Sequence, residues 1–306
     1  MKNPMNHCAS ALALAALCMC TATACSGSSA SADAKPTRTP PALSAPFDAK
    51  NPATWTLPIQ GYLPSDSAKT QILQAKKQLV SDCMKTYGFS WSPAPDLPRI
   101  GGKTFVDWRY GIHDLELAKK RGYKPDADEQ AAYDRAMNDG MGETPTQAES
   151  QMLEGSGPAE VNGVKVPKGG CLGQADRRID IQATQTASAQ EISAQTFAES
   201  KSVGGVVKAF AAWSACMKEK GYTYAAPLDA SDDPRFGSTE VTPEEIATAT
   251  ADIGCRDRTH VVKVWYDAER DLQTEAIEDK AEQLEQEADA LDDAVKKAAD
   301  VVAGTR

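Results

Sequence analysis

The chain has 306 residues, 43 of them acidic and 33 basic, for a net charge of −10. That balance argues against a nucleic-acid partner, which needs basic patches, and against charge-driven retention on an anionic lipid surface. With 41% hydrophobic and only 6% aromatic residues, the composition suits an alanine-rich helical protein large enough to bury a core.

Residues 1–25 read as an export signal. Ala11 to Leu17 is apolar, and the small residues Ala22, Thr23 and Ala24 lead into Cys25. The apolar stretch is roughly fifteen residues, short of the roughly twenty that span a bilayer. A thiol is a poor residue at an ordinary secretory cleavage site but is the acyl acceptor at a lipoprotein site. Cys25 is therefore the expected lipidated residue and the first residue of the mature chain. Cys18 and Cys20 are worse placed, because Leu17 and Met19 directly precede them. Two features depart from the usual pattern: Lys2 is the only base of the leader, and Ala22 stands where leucine is common. The plain alternative is a secreted protein cleaved nearby. Cleavage removes Lys2 and no acid, taking the net charge from −10 to −11. Acyl chains contribute about 0.8 kcal/mol per buried methylene, so two of them hold stably. The lipid bilayer, met through acylated Cys25 at the outer face of the cell membrane, is the first expected partner.

Residues 26–57 are expected to be a disordered tether. Serines, alanines and Pro36, Pro40, Pro41 and Pro46 break any hydrophobic period, and such a segment buries too little to order itself. About thirty residues of flexible chain would space a domain roughly 30 Å from its anchor.

Residues 58–306 are expected to form a mainly α, disulfide-braced domain. Its parts are a first half (58–170), a second half (171–255) and a long acidic helix (256–303). Residues 83–91 read C-M-K-T-Y-G-F-S-W and residues 216–224 read C-M-K-E-K-G-Y-T-Y. Each ends a helical run: Ile72, Leu79, Val80, Cys83 and Met84 in one, Val203, Val206, Phe210, Trp213 and Met217 in the other. The signature reads as a helix stop rather than a ligand motif. Gly88 and Gly221 fit the left-handed position after a helix, Met84 and Met217 face Phe89 and Tyr222 across a Schellman cap, and Lys85 and Lys218 suit the dipole of the last turn. Trp91 and Tyr224 lack that account and are expected to start extended segments on the core.

Gly170-Cys171 and Gly254-Cys255 each open a further helical pattern, giving the order C-M-K…G-C twice. Four exported cysteines allow three pairings; pairing within each repeat, Cys83 with Cys171 and Cys216 with Cys255, is the simplest. Zinc fails on spacing, because residues 26–306 contain no C-x-x-C and an exported setting favours oxidation. No metal or other cofactor is expected.

Short elements lie between. Helices are predicted over Asp114–Lys120, from Asp126 to Met137, and from Thr144-Pro145 to Leu153. Val161-Asn162-Gly163-Val164 predicts a tight hairpin over 161–166. Thr242-Pro243-Glu244-Glu245 is a strong helix start, with a stop at Gly254. Two long helices follow the second cysteines, Cys171 to about Ser200 and Arg256 to Val302. The distal part of the last keeps a heptad: Ile277, Leu284, Leu291 and Ala298 alternate with Ala281, Ala288, Val295 and Val302. Upstream, Val261, Trp265, Ala268 and Leu272 run in a shifted phase, so a stutter is expected near Ala276. The partner for this seam is the helix after Cys171 or, alternatively, another protein chain in a coiled coil. Its acidic surface, Glu275 to Asp293, reads as a solvated face.

Chemistry is thin. His113, with Asp107, Arg109 and Glu116 near it, could serve as a general base or as a surface ion pair. His260 follows Arg256-Asp257-Arg258. That triplet and Asp176-Arg177-Arg178 could grip an anion or make core-edge salt bridges. No nucleophile elbow, zincin, P-loop or EF-hand pattern occurs.

The Cys25 signal, the C-M-K-x-x-G-aromatic segments, Arg109-Tyr110-Gly111 with Gly122-Tyr123, and Val166-Pro167-Lys168-Gly169-Gly170-Cys171 together resemble exported actinobacterial lipoproteins of unassigned function. The resemblance spans most of residues 65–260. It implies an address and a two-disulfide helical body, with no activity to carry over. Three readings follow: a non-enzymatic binding or scaffold lipoprotein using the 256–303 helix, a cell-envelope hydrolase using His113 and nearby carboxylates, or a small-ligand binder with a pocket among Trp91, Trp108, Tyr110 and Trp213.

Overall fold

Several helices begin at a residue whose side chain accepts from one of the first free amides. The computed structural model describes Arg38, residues 46–140 and residues 144–305; the leader and Cys25 lie outside these residues. Ser65 accepts from the Ala68 amide and opens α1 (Asp66–Thr86). Asp114 opens α2 (Leu115–Arg121), Asp126 opens α3 (Ala127–Asp139), and Thr146 with Glu149 forms a capping box ahead of α4 (Gln147–Glu154). The hairpin pairs β1 (Glu160–Val161) with β2 (Val164–Lys165) across Asn162-Gly163, both at positive φ. There follow α5 (Gly170–Ile179), α6 (Ala187–Ser200), α7 (Gly204–Glu219), α8 (Pro227–Ser231), α9 (Pro243–Thr259), α10 (Val261–Asp279) and α11 (Ala281–Val302). Among the described residues no helix is long and apolar enough to cross a membrane.

Both signatures are Schellman stops. The Phe89 amide donates to Met84 O (3.1 Å) and the Gly88 amide to Lys85 O (3.0 Å). The Tyr222 and Gly221 amides repeat this on Met217 O and Lys218 O, each at 3.0 Å. Gly88 has φ +82° and Gly221 φ +91°, a region costly for a side chain. The repeat also reaches one step further upstream. Ser81 Oγ donates to Trp91 O (3.3 Å) and Ser214 Oγ to Tyr224 O (2.5 Å). These serines, two residues before each cysteine, hold the backbone at the second aromatic position in the same way in both repeats.

Disulfides join Cys83 to Cys171, tying α1 to α5, and Cys216 to Cys255, tying α7 to α9. The two settings differ. Cys171 sits in the first turn of α5, whereas Cys255 lies deep in α9. The expected stop at Gly254 is absent because Cys255 and Arg256 are buried helical residues. The chain turns instead at His260, φ +53°.

Three other expectations are corrected. The expected tether ends too late: Phe47 stacks on Trp55 and Tyr266, with ring centroids 5.4 and 5.0 Å apart, and Trp55 and Leu57 are buried in the main core. Arg38 reaches α11, where its amide donates to Glu285 and its guanidinium pairs with Asp292. Large apolar side chains here outweigh the prolines. The helix expected from Cys171 to Ser200 breaks at Asp180 and Thr186, both at positive φ, around a 3-10 turn (Ile181–Gln185). The long terminal helix is three helices, broken at His260 and Lys280 rather than carried through a stutter at Ala276.

The heptad seam of α11 is filled within the chain. Leu284, Ala288, Leu291, Ala294 and Ala298 are buried. The chief partner is α1, with α5 and the 181–185 turn beside it; Ala298 packs with Ile72, Ala75 and Ile179. The largest core gathers Trp55, Tyr62, Tyr110, Trp213, Trp265 and Tyr266. A second forms around the Cys83–Cys171 bond with Met84, Tyr87, Met152 and Leu153.

Candidate functional site

The segment Lys103 to His113 carries the sequence candidates, and one carboxylate staples it. Asp107 Oδ2 accepts from the Lys103 amide (2.7 Å), and Asp107 Oδ1 accepts from His113 Nε2 (2.7 Å). Burial pushes the Asp107 carboxyl up, but the hydrogen bonds from His113 and the Lys103 amide outweigh it and hold the group below the usual carboxylate range. The same turn places Trp108 at φ +64° and bridges Trp108 to Gly111. Successive side chains are thereby sent in different directions.

His113 and Asp107 thus form half of an acid–base dyad. The other half is missing among the described residues. His113 Nδ1 is enclosed without a hydrogen-bond partner, and no hydroxyl or thiol bonds to the ring. Arg109 does not join them. Its Nε and Nη2 grip the wholly buried Glu269 carboxylate, and Nη2 also donates to Ser193 O at 2.7 Å. Tyr110 Oη (2.8 Å) and Gln273 Nε2 (2.9 Å) donate to the same carboxylate. Glu116 pairs with Lys119 on the surface at 2.7 Å.

A second buried pair ties α9 to its surroundings. Arg256 Nε donates to Asp252 Oδ1 at 2.7 Å, while its other nitrogens donate to Tyr110 O and Pro227 O. Trp213 Nε1 donates to the same Asp252 oxygen at 2.8 Å. A Cβ on Gly111, which has φ +100°, would collide with that guanidinium. Arg256 is therefore a core-edge tie rather than an anion grip. Arg258 pairs with Glu219 (2.8 Å), Asp176 with Lys76 (2.6 Å), and Arg177 and Arg178 are exposed. A third helical acid, Glu245, is also wholly buried and takes Lys124 Nζ at 2.9 and 3.0 Å.

The four aromatics proposed to line a pocket do not converge. Tyr110 and Trp213 belong to the largest core, Trp91 packs beside the Cys83–Cys171 bond, and Trp108 lies over Gly101. Clefts lie elsewhere among the described residues, and two of them gather cations or candidate residues. The first, about 550 Å³, brings together the histidines His113 and His260 with Phe47, Lys50, Asp257 and Lys263. Its cations are matched, Lys50 to Asp257 at 3.4 Å and Lys263 to Asp267. The second, about 710 Å³, runs between α1, α6 and the 103–109 segment, along Leu63, Lys69, Lys103, Phe105, Arg109 and Gln190. Phe105 is 41% exposed there. No sequence signal pointed to this cleft, because its walls come from three distant segments. Among the described residues no cluster of His, Cys, Asp and Glu could hold a metal ion.

The buried phenols give a pH test of this packing. Burial, reinforced by Glu269, raises the Tyr110 hydroxyl; burial with Asp252 raises Tyr123, and burial raises Tyr62 and Tyr266. Burial and the Asp233 contact push Tyr224 up to about 12. An unfolded phenol ionises near pH 10. Stability from these groups is full below about pH 10 and is lost as the pH climbs towards their folded values. Of the eight tyrosines, the buried Tyr62, Tyr110 and Tyr266 are expected to withhold phenolate absorbance until the chain unfolds, while Tyr123 and Tyr224 ionise above the ordinary phenol range. Ionisation of all eight before the loss of helical circular dichroism would contradict the buried placement.

No protein-family model, curated protein or solved structure matches the chain.

Proposed function

We propose that the chain is a lipid-anchored, extracytoplasmic binding protein of the cell envelope, with a non-enzymatic role. The observation that carries this reading is the fate of the cysteines. All four beyond Cys25 are consumed in two disulfides at helix–helix contacts, an arrangement that belongs to oxidising compartments. The Cys25 signal supplies the address and the acyl acceptor. The half-formed dyad at His113 supports binding over hydrolysis, since its second nitrogen reaches no nucleophile. The outer surface of α11 remains the proposed scaffold face for a protein partner, approached through charge because the apolar seam is already covered.

Metabolic labelling with an alkyne fatty acid tests the address. The wild-type chain is expected to take the label and to sediment with membranes. Cys25→Ser is expected to lose the label and leave the membrane fraction. An unlabelled wild-type chain in the cytoplasm, with free thiols, would overturn the proposal.

A further inference from the structure

The cleft beside Arg109 has the makings of a ligand site that the fold itself does not use. Arg109 is 15% exposed at its side chain and lines this cleft, not the histidine-lined one. Its Nε and Nη2 are fixed by Glu269 and Ser193. Among the described residues Nη1 has no acceptor, and it is not among the enclosed unpaired atoms. An arginine has five N–H donors in a rigid fork. Here one edge is locked from behind by a buried carboxylate, and the other edge stands open. That is how a guanidinium is held ready for an oxyanion.

The surroundings add charge and an apolar wall. Lys69 and Lys103 flank the cleft; Lys69 has an exposed acidic partner, Asp66, and Lys103 a half-buried one, Glu129. An exposed ion pair such as Lys69–Asp66 is worth about 0–1 kcal/mol, so an incoming anion can exchange with it at little cost. Three cations and one acid, Asp66, line the cleft, while Glu269 and Glu129 pair with Arg109 and Lys103 from outside the lining. Phe105 lies 5.4 Å from the Arg109 guanidinium carbon and leaves much of its ring uncovered. Leu63 and Ala194 continue the apolar side. The volume lies within the range of small-molecule sites, roughly 300–1,000 Å³. The histidine-lined cleft differs in its arginine, because all three guanidinium nitrogens of Arg256 already donate within the fold.

We propose that this cleft binds a small organic carboxylate: the anionic head against Arg109 Nη1, Lys69 and Lys103, the apolar part on Phe105 and Leu63. Asp107 and His113 then act as positioning residues, holding the segment that presents Lys103, Phe105 and Arg109. The proposal deepens the binding role put forward above but is independent of the anchor. Loss of acylation leaves it standing, and failure to bind leaves the anchor standing.

The test is isothermal titration of the full-length chain with 1-naphthoate, and with the neutral isostere 1-naphthalenemethanol. Naphthoate is expected to bind at one site per chain, and the alcohol at least about tenfold more weakly, as for loss of a charged hydrogen bond. Phe105→Ala and the double variant Lys69→Ala/Lys103→Ala are each expected to weaken naphthoate about tenfold or more, with unchanged circular dichroism and melting. These side chains are exposed, so the fold does not depend on them. His260→Ala, in the other cleft, is expected to leave the affinity unchanged. The proposal is overturned if naphthoate does not bind, if the alcohol binds equally well, if the Phe105 and lysine variants bind like the wild type, or if His260→Ala is the variant that loses affinity.

Discussion

Replacing Arg256 by methionine is expected to cost about 3–5 kcal/mol of folding stability, the range for stranding a buried charge. Arg256 is 3% exposed at its side chain and Asp252 0%. The methionine would fill part of the space but leave the carboxylate with only Trp213 Nε1 (2.8 Å) and Tyr123 Oη (3.4 Å). The carbonyls of Tyr110 and Pro227 would lose their donor as well. Burial already pushes the Asp252 carboxyl above its usual range, and Arg256 is the main force pulling it back. Without the guanidinium the carboxyl rises further. A carboxyl raised in the folded state stabilises below its unfolded value and loses that contribution as pH rises through the folded value. The deficit of Arg256→Met relative to wild type should therefore be larger at neutral pH than in mild acid. Urea denaturation at both pH values measures it. The double variant Asp252→Leu/Arg256→Met, which removes both charges, is expected to recover much of the loss. A single variant with wild-type stability at neutral pH would refute the account of α9.

Removing either disulfide should be of similar size. The loops closed by Cys216–Cys255 and Cys83–Cys171 span 39 and 88 residues. Chain entropy alone gives about 3.9 and about 4.6 kcal/mol, respectively. The cysteine pairs are replaced with alanine two at a time and followed by thermal melting. Both double variants are expected to melt well below the wild type, by amounts near one another. Reductant should lower the wild-type melting point and leave a variant lacking both bonds unmoved. Insensitivity of the wild type to reductant, with reduction verified by thiol assay, would contradict the bracing role.

What the sequence made legible was local. The helix stops at Gly88 and Gly221 could be read because capping is written in residues three to five apart. The hairpin at Asn162-Gly163 and the start at Thr242 were readable for the same reason. What escaped was decided across the fold. Gly254 looks like a stop until Cys255 and Arg256, the two residues after it, are seen buried within the same helix. His260 and Thr186 take positive φ with no glycine to announce it. Phe47 and Trp55 sit among prolines and serines, and their burial depends on Tyr266, more than two hundred residues away. Arg109 next to His113 suggests one site in sequence; its true partner, Glu269, lies on another helix. The cleft along Phe105 has no linear signature at all.

The pairing of α1 with α11 also sets the order in which this protein can be completed. Ile72 and Ala75 share their cluster with Ile179 of α5 and with Ala298 of α11, more than two hundred residues away. Contacts of such long separation slow folding, because loop closure precedes their reward. The α5 side of α1 can be covered once residue 179 has been made, whereas a nascent chain stalled short of residue 281 would leave the α11 side of α1 open.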